Sequence, residues 1–210
     1  MNVRGRRRTE SMSFELVDLK QGTRKWHRWR ALGVGASDAP TVMGENPWKS
    51  SGELQQEKLS PRHRTVMTDA MERGAALEPI ARAYYCDRRG THVAPACVQN
   101  TVYPWMRASL DGIHKNLNQI VEIKCGESTH KNVTRSRSIP SHYYGQLQHI
   151  LAVTGLEKMD FWCFALNRRS ILIEVQRNEW YIKRLIEAEA AFWKLIEPDV
   201  ERAVARVFGH

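Results

Sequence analysis

Apolar side chains recur at helical spacing over the first third of the chain. Around residue 92 they begin to alternate, and both patterns return after residue 140. From 23 to 31 Trp26, Trp29 and Leu32 form an apolar stripe that stops at Gly33. Ser37 or Asp38 then caps a short helix running to Met43, closed by Gly44 and the Asn46-Pro47 turn. Residues 50–59 predict a further helix ended by Pro61. Residues 68–88 predict a longer one, with Thr68 or Asp69 at its start and Gly90 just past its end.

Segments 92–98, 99–103, 107–113 and 119–125 are short, β-branched or alternating, and bounded by Pro, Gly and Asn, the pattern of an antiparallel meander. A basic polar loop is expected over 127–138. Pro140-Ser141 opens a helix from 142 to 154, stopped by Gly155. Strands at 159–165 and 170–176 follow, joined by a turn at Asn167-Arg168-Arg169. Asn178 then caps a long C-terminal helix expected to be interrupted at Pro198. With no repeat and no linker, these elements predict an α/β (α+β) fold: a basic disordered tail over 1–13 and one mixed domain over 14–210.

Composition narrows the function. Hydrophobic residues make up 42% of the 210, with seven Trp, so the chain can build a core. No apolar run is long enough to span a membrane, and the basic N-terminus lacks the apolar stretch of a secretory signal, so a soluble, cytoplasmic protein is expected. A formal net charge of +9 favours a polyanionic partner, nucleic acid ahead of membrane. Cys86, Cys97, Cys125 and Cys163 show no zinc spacing and are expected to be reduced thiols, and none lies far enough towards the C-terminus to build an iron–sulfur cluster there.

The chemistry concentrates in Asp111-Gly112 and, a few residues on, Glu122-Ile123-Lys124. In a strand Glu122 and Lys124 share one face while Val121 and Ile123 share the other. A hairpin-like return brings Asp111 beside Glu122, making an oxygen-ligand pair suited to Mg²⁺ or Mn²⁺, and Lys124 stands where it can orient a nucleophilic water. An exposed Glu/Lys pair on an edge strand is the competing account. Glu78 sits mid-helix before Pro79; the small residues Gly74 and Ala75 would let that helix lie close to the sheet and Glu78 reach the metals. Gln146 borders the stripe of Leu147, Ile150 and Leu151, either facing a cleft beside the sheet or serving as an ordinary boundary residue. Arg30, with the hydroxyl and backbone N–H groups near Ser37, makes a candidate phosphate cradle, or Arg30 is a plain surface charge.

Trp26 and Arg30, with 33–38 (GVGASD), 44–48 (GENPW), 74–78 (GAALE), 106–112 (MRASLDG), 121–125 (VEIKC) and 140–149 (PSHYYGQLQH), together resemble the YqaJ-like viral recombinase (phage lambda exonuclease) family of the PD-(D/E)XK nucleases. The resemblance spans about two-thirds of the chain and implies a restriction-endonuclease-like core, a mixed central β-sheet flanked by helices. It implies an Mg²⁺-dependent 5′→3′ double-strand DNA exonuclease that generates 3′ overhangs for phage-type recombination by two-metal hydrolysis. Asp111, Glu122 and the Ile123 carbonyl would be metal ligands, Lys124 the catalytic lysine, Glu78 a helical carboxylate near the metals and Gln146 a glutamine beside the water. Arg30 and Ser37 would hold the 5′-phosphate. The family's additional phosphate-gripping arginine has no direct match; His130, Lys131, Arg135 and Arg137 lie in the corresponding loop. Leu110 stands where the family has proline. The resemblance further implies a ring-shaped homotrimer, a single-strand annealing partner and a phage or prophage origin in a bacterial host. An endonuclease or 3′-directed nuclease on the same core, and an inert DNA-binding accessory, are the alternatives.

Overall fold

A computed structural model of the chain describes residues 13–61 and 68–209, so the expected tail lies, Ser13 apart, outside the described residues. Four helices begin where a short polar side chain accepts an otherwise unpaired backbone N–H. Thr23 caps α1 (Arg24–Ala31), Ser50 caps α3 (Ser51–Leu59), Thr68 caps α4 (Asp69–Arg89) and Asn178 caps α7 (Glu179–Phe208). Between α1 and α3 a 3-10 turn, Ala36–Asp38, leads into the single turn of α2 (Ala39–Val42).

The strands β1 (Phe14–Val17), β2 (Val34–Gly35), β3 (Val93–Asn100), β4 (Met106–His114), β5 (Ile120–Cys125), β6 (Lys158–Phe164) and β7 (Ile171–Gln176) form one sheet ordered β1-β3-β4-β5-β6-β7, with β2 added against β4. Pairing along this order is antiparallel except between β5 and β6. That parallel step needs a crossover, supplied by α5 (Glu127–Ser136) and α6 (Ser141–Thr154).

One edge of β4 is shared. Val34 and Gly35 of β2 pair with Met106 and Arg107 at its start, whereas β5 pairs only with Gly112 and Ile113 near its end. Between these contacts that edge carries no ladder partner, and the sheet forks beside Asp111. Helices cover both faces. Leu147, Ile150 and Leu151 of α6 pack with Ala108, Leu110 and Ile120 on one side; Ala81 and Tyr85 of α4 pack with Val121, Ile123 and Trp162 on the other. Strand β5 therefore runs through the middle of the molecule, which removes the edge-strand account of Glu122 and Lys124.

Five expectations are corrected. Residues 127–138 are not a loop but mostly α5, whose single apolar anchor, Val133, leaves no stripe to read. Residues 92–103 are not two strands: β3 runs through to Asn100, whose side-chain oxygen then accepts the N–H groups of Val102 and Tyr103 in a tight turn. Helix α7 is unbroken at Pro198, whose ring faces solvent. Gly74 and Ala75 do not pack on the sheet; fully buried Ala81 makes the close approach, its carbonyl accepting from the Trp162 indole at 3.0 Å. Nor does an Asp38 side chain cap α2, because it turns back to the Gly35 N–H.

Candidate active site at the fork of the sheet

Alternation along β5 sends Ile120, Glu122 and Lys124 under α6 and Val121 and Ile123 under α4. Glu122 is only 2% exposed. Its Oε1 accepts from Lys124 Nζ at 2.6 Å and from Gln146 Nε2 at 2.6 Å, and Lys124 Nζ also donates to Gln146 Oε1 at 3.1 Å. The three side chains thus close a ring of hydrogen bonds between strand and helix. Lys124 also lies over the Tyr143 ring, 4.9 Å from its centroid.

Asp111 faces this ring across the fork. Where the ladder lapses, its Oδ2 accepts the backbone N–H of Ile123 at 2.7 Å, so a side chain replaces the missing strand bond. Arg82 on α4 donates from Nε to the Asp111 carbonyl at 2.6 Å and pairs with Glu78 one turn earlier. Glu78, Asp111, Glu122, Lys124 and Gln146 are therefore brought together, as the sequence predicts.

Electrostatics show a site short of positive charge. Burial, then the neighbouring Glu122 and Glu78 carboxylates, push the Asp111 carboxyl well above its ordinary range. Burial also raises Glu78, against the pull of Arg82 and with a push from Glu122. Burial alone would lower Lys124, but the Glu122 and Asp111 carboxylates overrule it and hold the ammonium charged. Cys125 is pushed up to about 11 by burial, then by the Glu78 and Asp111 carboxylates, so it offers no thiolate at neutral pH. Glu122 Oε2 is buried and without a hydrogen-bond partner.

An orphaned buried carboxylate oxygen beside mutually repelling carboxylates fits a divalent cation. Among the described residues, no three His, Cys, Asp or Glu side chains converge tightly enough to cage an ion by themselves.

Arg30 Nη2 donates to Ser37 Oγ at 2.6 Å on the open side of the 3-10 turn, so this pair also meets as predicted. Of the backbone donors near Ser37, the Gly35 N–H is already taken by Asp38 Oδ2 at 2.9 Å and so is withdrawn from the expected cradle. Behind them Asp38 pairs with buried Lys58 at 2.7 Å, and Lys58 Nζ donates to the Gly33 carbonyl at 2.7 Å. Of the 130–137 cluster, Lys131, Arg135 and Arg137 are exposed, whereas His130 is buried with its Nε2 3.0 Å from the Arg169 carbonyl. His130 is therefore withdrawn as a phosphate contact.

Sequence reasoning missed Arg82, Tyr143 and the Asp38–Lys58 pair. Only Arg82 carried a signal, its i,i+4 spacing from Glu78 on one helix face.

Residues 25–157 match the YqaJ-like viral recombinase domain. The chain belongs to that family. It is 28% identical over 175 residues to the uncharacterized protein YqaJ of Bacillus subtilis (strain 168), a match covering 80% of this chain and 54% of the relative, so the chain spans about half the length of that protein. The family fold extends to solved structures. An alkaline exonuclease, LHK-Exo, from Laribacter hongkongensis superposes with a TM-score of 0.75 at 25% identity, covering 88% of this chain and 97% of that one, and has also been solved in complex with dAMP. A phage-related exonuclease from Haemophilus somnus 129PT shares the fold, with a TM-score of 0.62 at 15% identity, covering 81% of this chain and 96% of that one. No helix among the described residues is long and apolar enough to cross a membrane.

Proposed function

We propose that the protein is an Mg²⁺-dependent deoxyribonuclease, with Mn²⁺ able to substitute. In this reading it digests double-stranded DNA 5′→3′, releases 5′-mononucleotides and leaves 3′ overhangs for phage-type recombination. The observation that carries the proposal is the ring of Glu122, Lys124 and Gln146 set against Asp111, with Glu122 Oε2 unpartnered. The fold shared with an alkaline exonuclease that takes dAMP supports a nucleotide-handling site.

Asp111, Glu122 and the Ile123 carbonyl would hold Mg²⁺, with Glu78 at the rim, and the bound ions would supply Lewis-acid activation of a scissile phosphate and an attacking water. The chain's own residues do the rest. Lys124 stays an ammonium, so it orients the nucleophile and offsets charge growing on the phosphate oxygens. Gln146 is held at both ends of its amide, giving Lys124 one preferred direction. Arg30 and Ser37 grip a 5′-phosphate, fixing how far the strand end reaches past the cleavage position. Exposed Lys131, Arg135 and Arg137 contact the DNA backbone without reading bases. A ring-shaped homotrimer, a single-strand annealing partner and residence in a bacterial host cytoplasm complete the proposal.

The deciding experiment compares digestion of 5′-phosphorylated and 5′-hydroxyl duplexes with Mg²⁺. The phosphorylated end should be degraded far faster, and Lys124→Ala should abolish cleavage while DNA binding persists. Equal rates on both ends, or cutting of closed circular DNA, would favour the endonuclease reading; unchanged turnover by Lys124→Ala would remove the assignment of the site.

A further inference from the structure

A single exposed indole carries no message by itself, since monomer surfaces hold scattered apolar residues. Trp48 differs in how it is held and in what it touches. It is 73% exposed, yet its backbone is pinned: its N–H donates to Asn46 Oδ1 at 2.9 Å, and Asn46 Nδ2 donates to Thr41 Oγ1 at 2.9 Å. Pro47 fixes the residue before it, and the N–H groups of Glu45 and Asn46 both donate to the Pro40 carbonyl. On the other side Ser50 and Glu53 close a capping box.

The turn is clamped onto α6 just before Gln146. A Cβ on Gly145 would lie 3.2 Å from Pro40 N and 3.3 Å from Glu45 Oε2, and Tyr181 donates to Glu45 Oε2 at 2.7 Å. From there aromatic rings lead inward. Trp48 meets His142 edge-on at 4.8 Å between centroids, His142 meets Tyr143 at 4.2 Å, and Tyr143 lies under Lys124 at 4.9 Å. A rigidly mounted, solvent-facing indole is thereby tied by two ring contacts to the lysine of the candidate active site.

We propose that Trp48, backed by His142, is a stacking platform for a nucleobase at the end of the DNA strand being digested. The proposal rests on the nuclease reading and adds a base contact that is tolerant of sequence, because every base presents a π-face. Rigidity suits the role: a platform that needs no ordering on contact loses little entropy when a base lands on it.

The test is a double-mutant cycle on 5′-phosphorylated duplexes, with intact or abasic nucleotides at the 5′ end. On intact ends Trp48→Ala should raise KM about tenfold, the usual size of losing one base–aromatic stack, while Trp48→Phe keeps most of the affinity. On abasic ends wild type and Trp48→Ala should be alike. Equal losses on both substrates, or none, would overturn the platform while leaving the nuclease reading intact. So would sedimentation showing that Trp48→Ala merely separates copies of the chain, since the indole would then be an interface residue. Absence of cleavage by wild type on every duplex would sink the parent reading and this inference with it.

Discussion

Asp111 and Ile123 are joined by a hydrogen bond, side-chain oxygen to backbone N–H at 2.7 Å, at the point where β4 and β5 stop pairing. One candidate metal ligand is thereby locked to the strand that carries the other. The bond separates two properties of Asp111, an acceptor that braces the fork and a charge that burial, then the surrounding carboxylates, resist.

Asp111→Asn keeps an acceptor and removes the charge. In EDTA its Tm should equal or exceed that of wild type, because the buried repulsion with Glu122 and Glu78 is relieved. Mg²⁺ should raise the wild-type Tm by mass action and leave the variant nearly unmoved, and nuclease activity should be lost. Asp111→Ala should also lower the Tm, by about 1–3 kcal/mol of stability, through the unpaired Ile123 N–H. Thermal shifts with and without Mg²⁺ decide this; an Asp111→Asn protein that still gains Tm from Mg²⁺ places the ion elsewhere.

His149 and Glu189 form a fully buried pair at 2.8 Å between α6 and α7, with His149 Nε2 3.0 Å from the Arg107 carbonyl and Glu189 Oε2 unpartnered. Removing one member strands the other. Glu189→Ala should cost about 3–5 kcal/mol, on the order of 10 °C in Tm for a domain of this size. Replacing both by apolar residues of similar volume, His149→Leu with Glu189→Met, should recover most of the loss. A double variant no more stable than Glu189→Ala would show that the pair itself, and not the stranded charge, supports the helix contact.

Much of the site was legible because it is built from local geometry. The period-2 alternation of β5 put Glu122 and Lys124 on one face, and the short polar residues Thr68 and Asn178 marked helix starts through bonds only three residues long. What escaped depends on contacts distant in sequence. Arg82 earns its place from a carbonyl 29 positions away, and Lys58 from Gly33, 25 away. Local rules also misled at proline. Pro198 lies on the exposed side of α7, and the packing of Trp193, Ile196 and Val200 on either side of it keeps the helix whole. In α5 the polar residues outnumber the single anchor Val133, so helicity there comes from packing and not from pattern.

Gly112, next to Asp111 in the last paired stretch of β4, has no room for a side chain. An added Cβ would lie 2.6 Å from Val93 Cγ2 and 2.9 Å from Val121 Cγ1, both on stiff β-branched residues. Gly112→Ala should therefore cost about 1–3 kcal/mol, and the shifted strand should displace Asp111, lowering kcat by more than the Tm loss implies. Val93→Ala in the same chain opens the tighter contact and should return part of both. Denaturant midpoints and steady-state rates measure the two effects; full activity in Gly112→Ala would mean that the fork tolerates movement.

Asp38 ties the candidate phosphate grip to acid stability. Burial alone would raise its carboxyl, but the Lys58 ammonium, then the Arg30 guanidinium and the hydrogen bonds from Lys58 and Gly35, hold it at about 2, against an ordinary value of 3.8. A depressed folded-state value means that the charged form stabilises the fold above the ordinary value, and that this contribution is lost as pH falls from 3.8 through about 2. The gap corresponds to about 2 kcal/mol. Asp38→Asn should be less stable than wild type by roughly that amount at pH 5 to 7, with the difference closing below about pH 3. The variant should also weaken discrimination between 5′-phosphate and 5′-hydroxyl ends at neutral pH, because Ser37 sits on the turn that Asp38 closes onto Gly35 and Arg30, reaching over from α1, donates to Ser37. Urea midpoints across pH 2 to 7 give the first comparison and end-labelled digests the second; parallel wild-type and Asp38→Asn curves over the whole range would show that the pair carries no net stability.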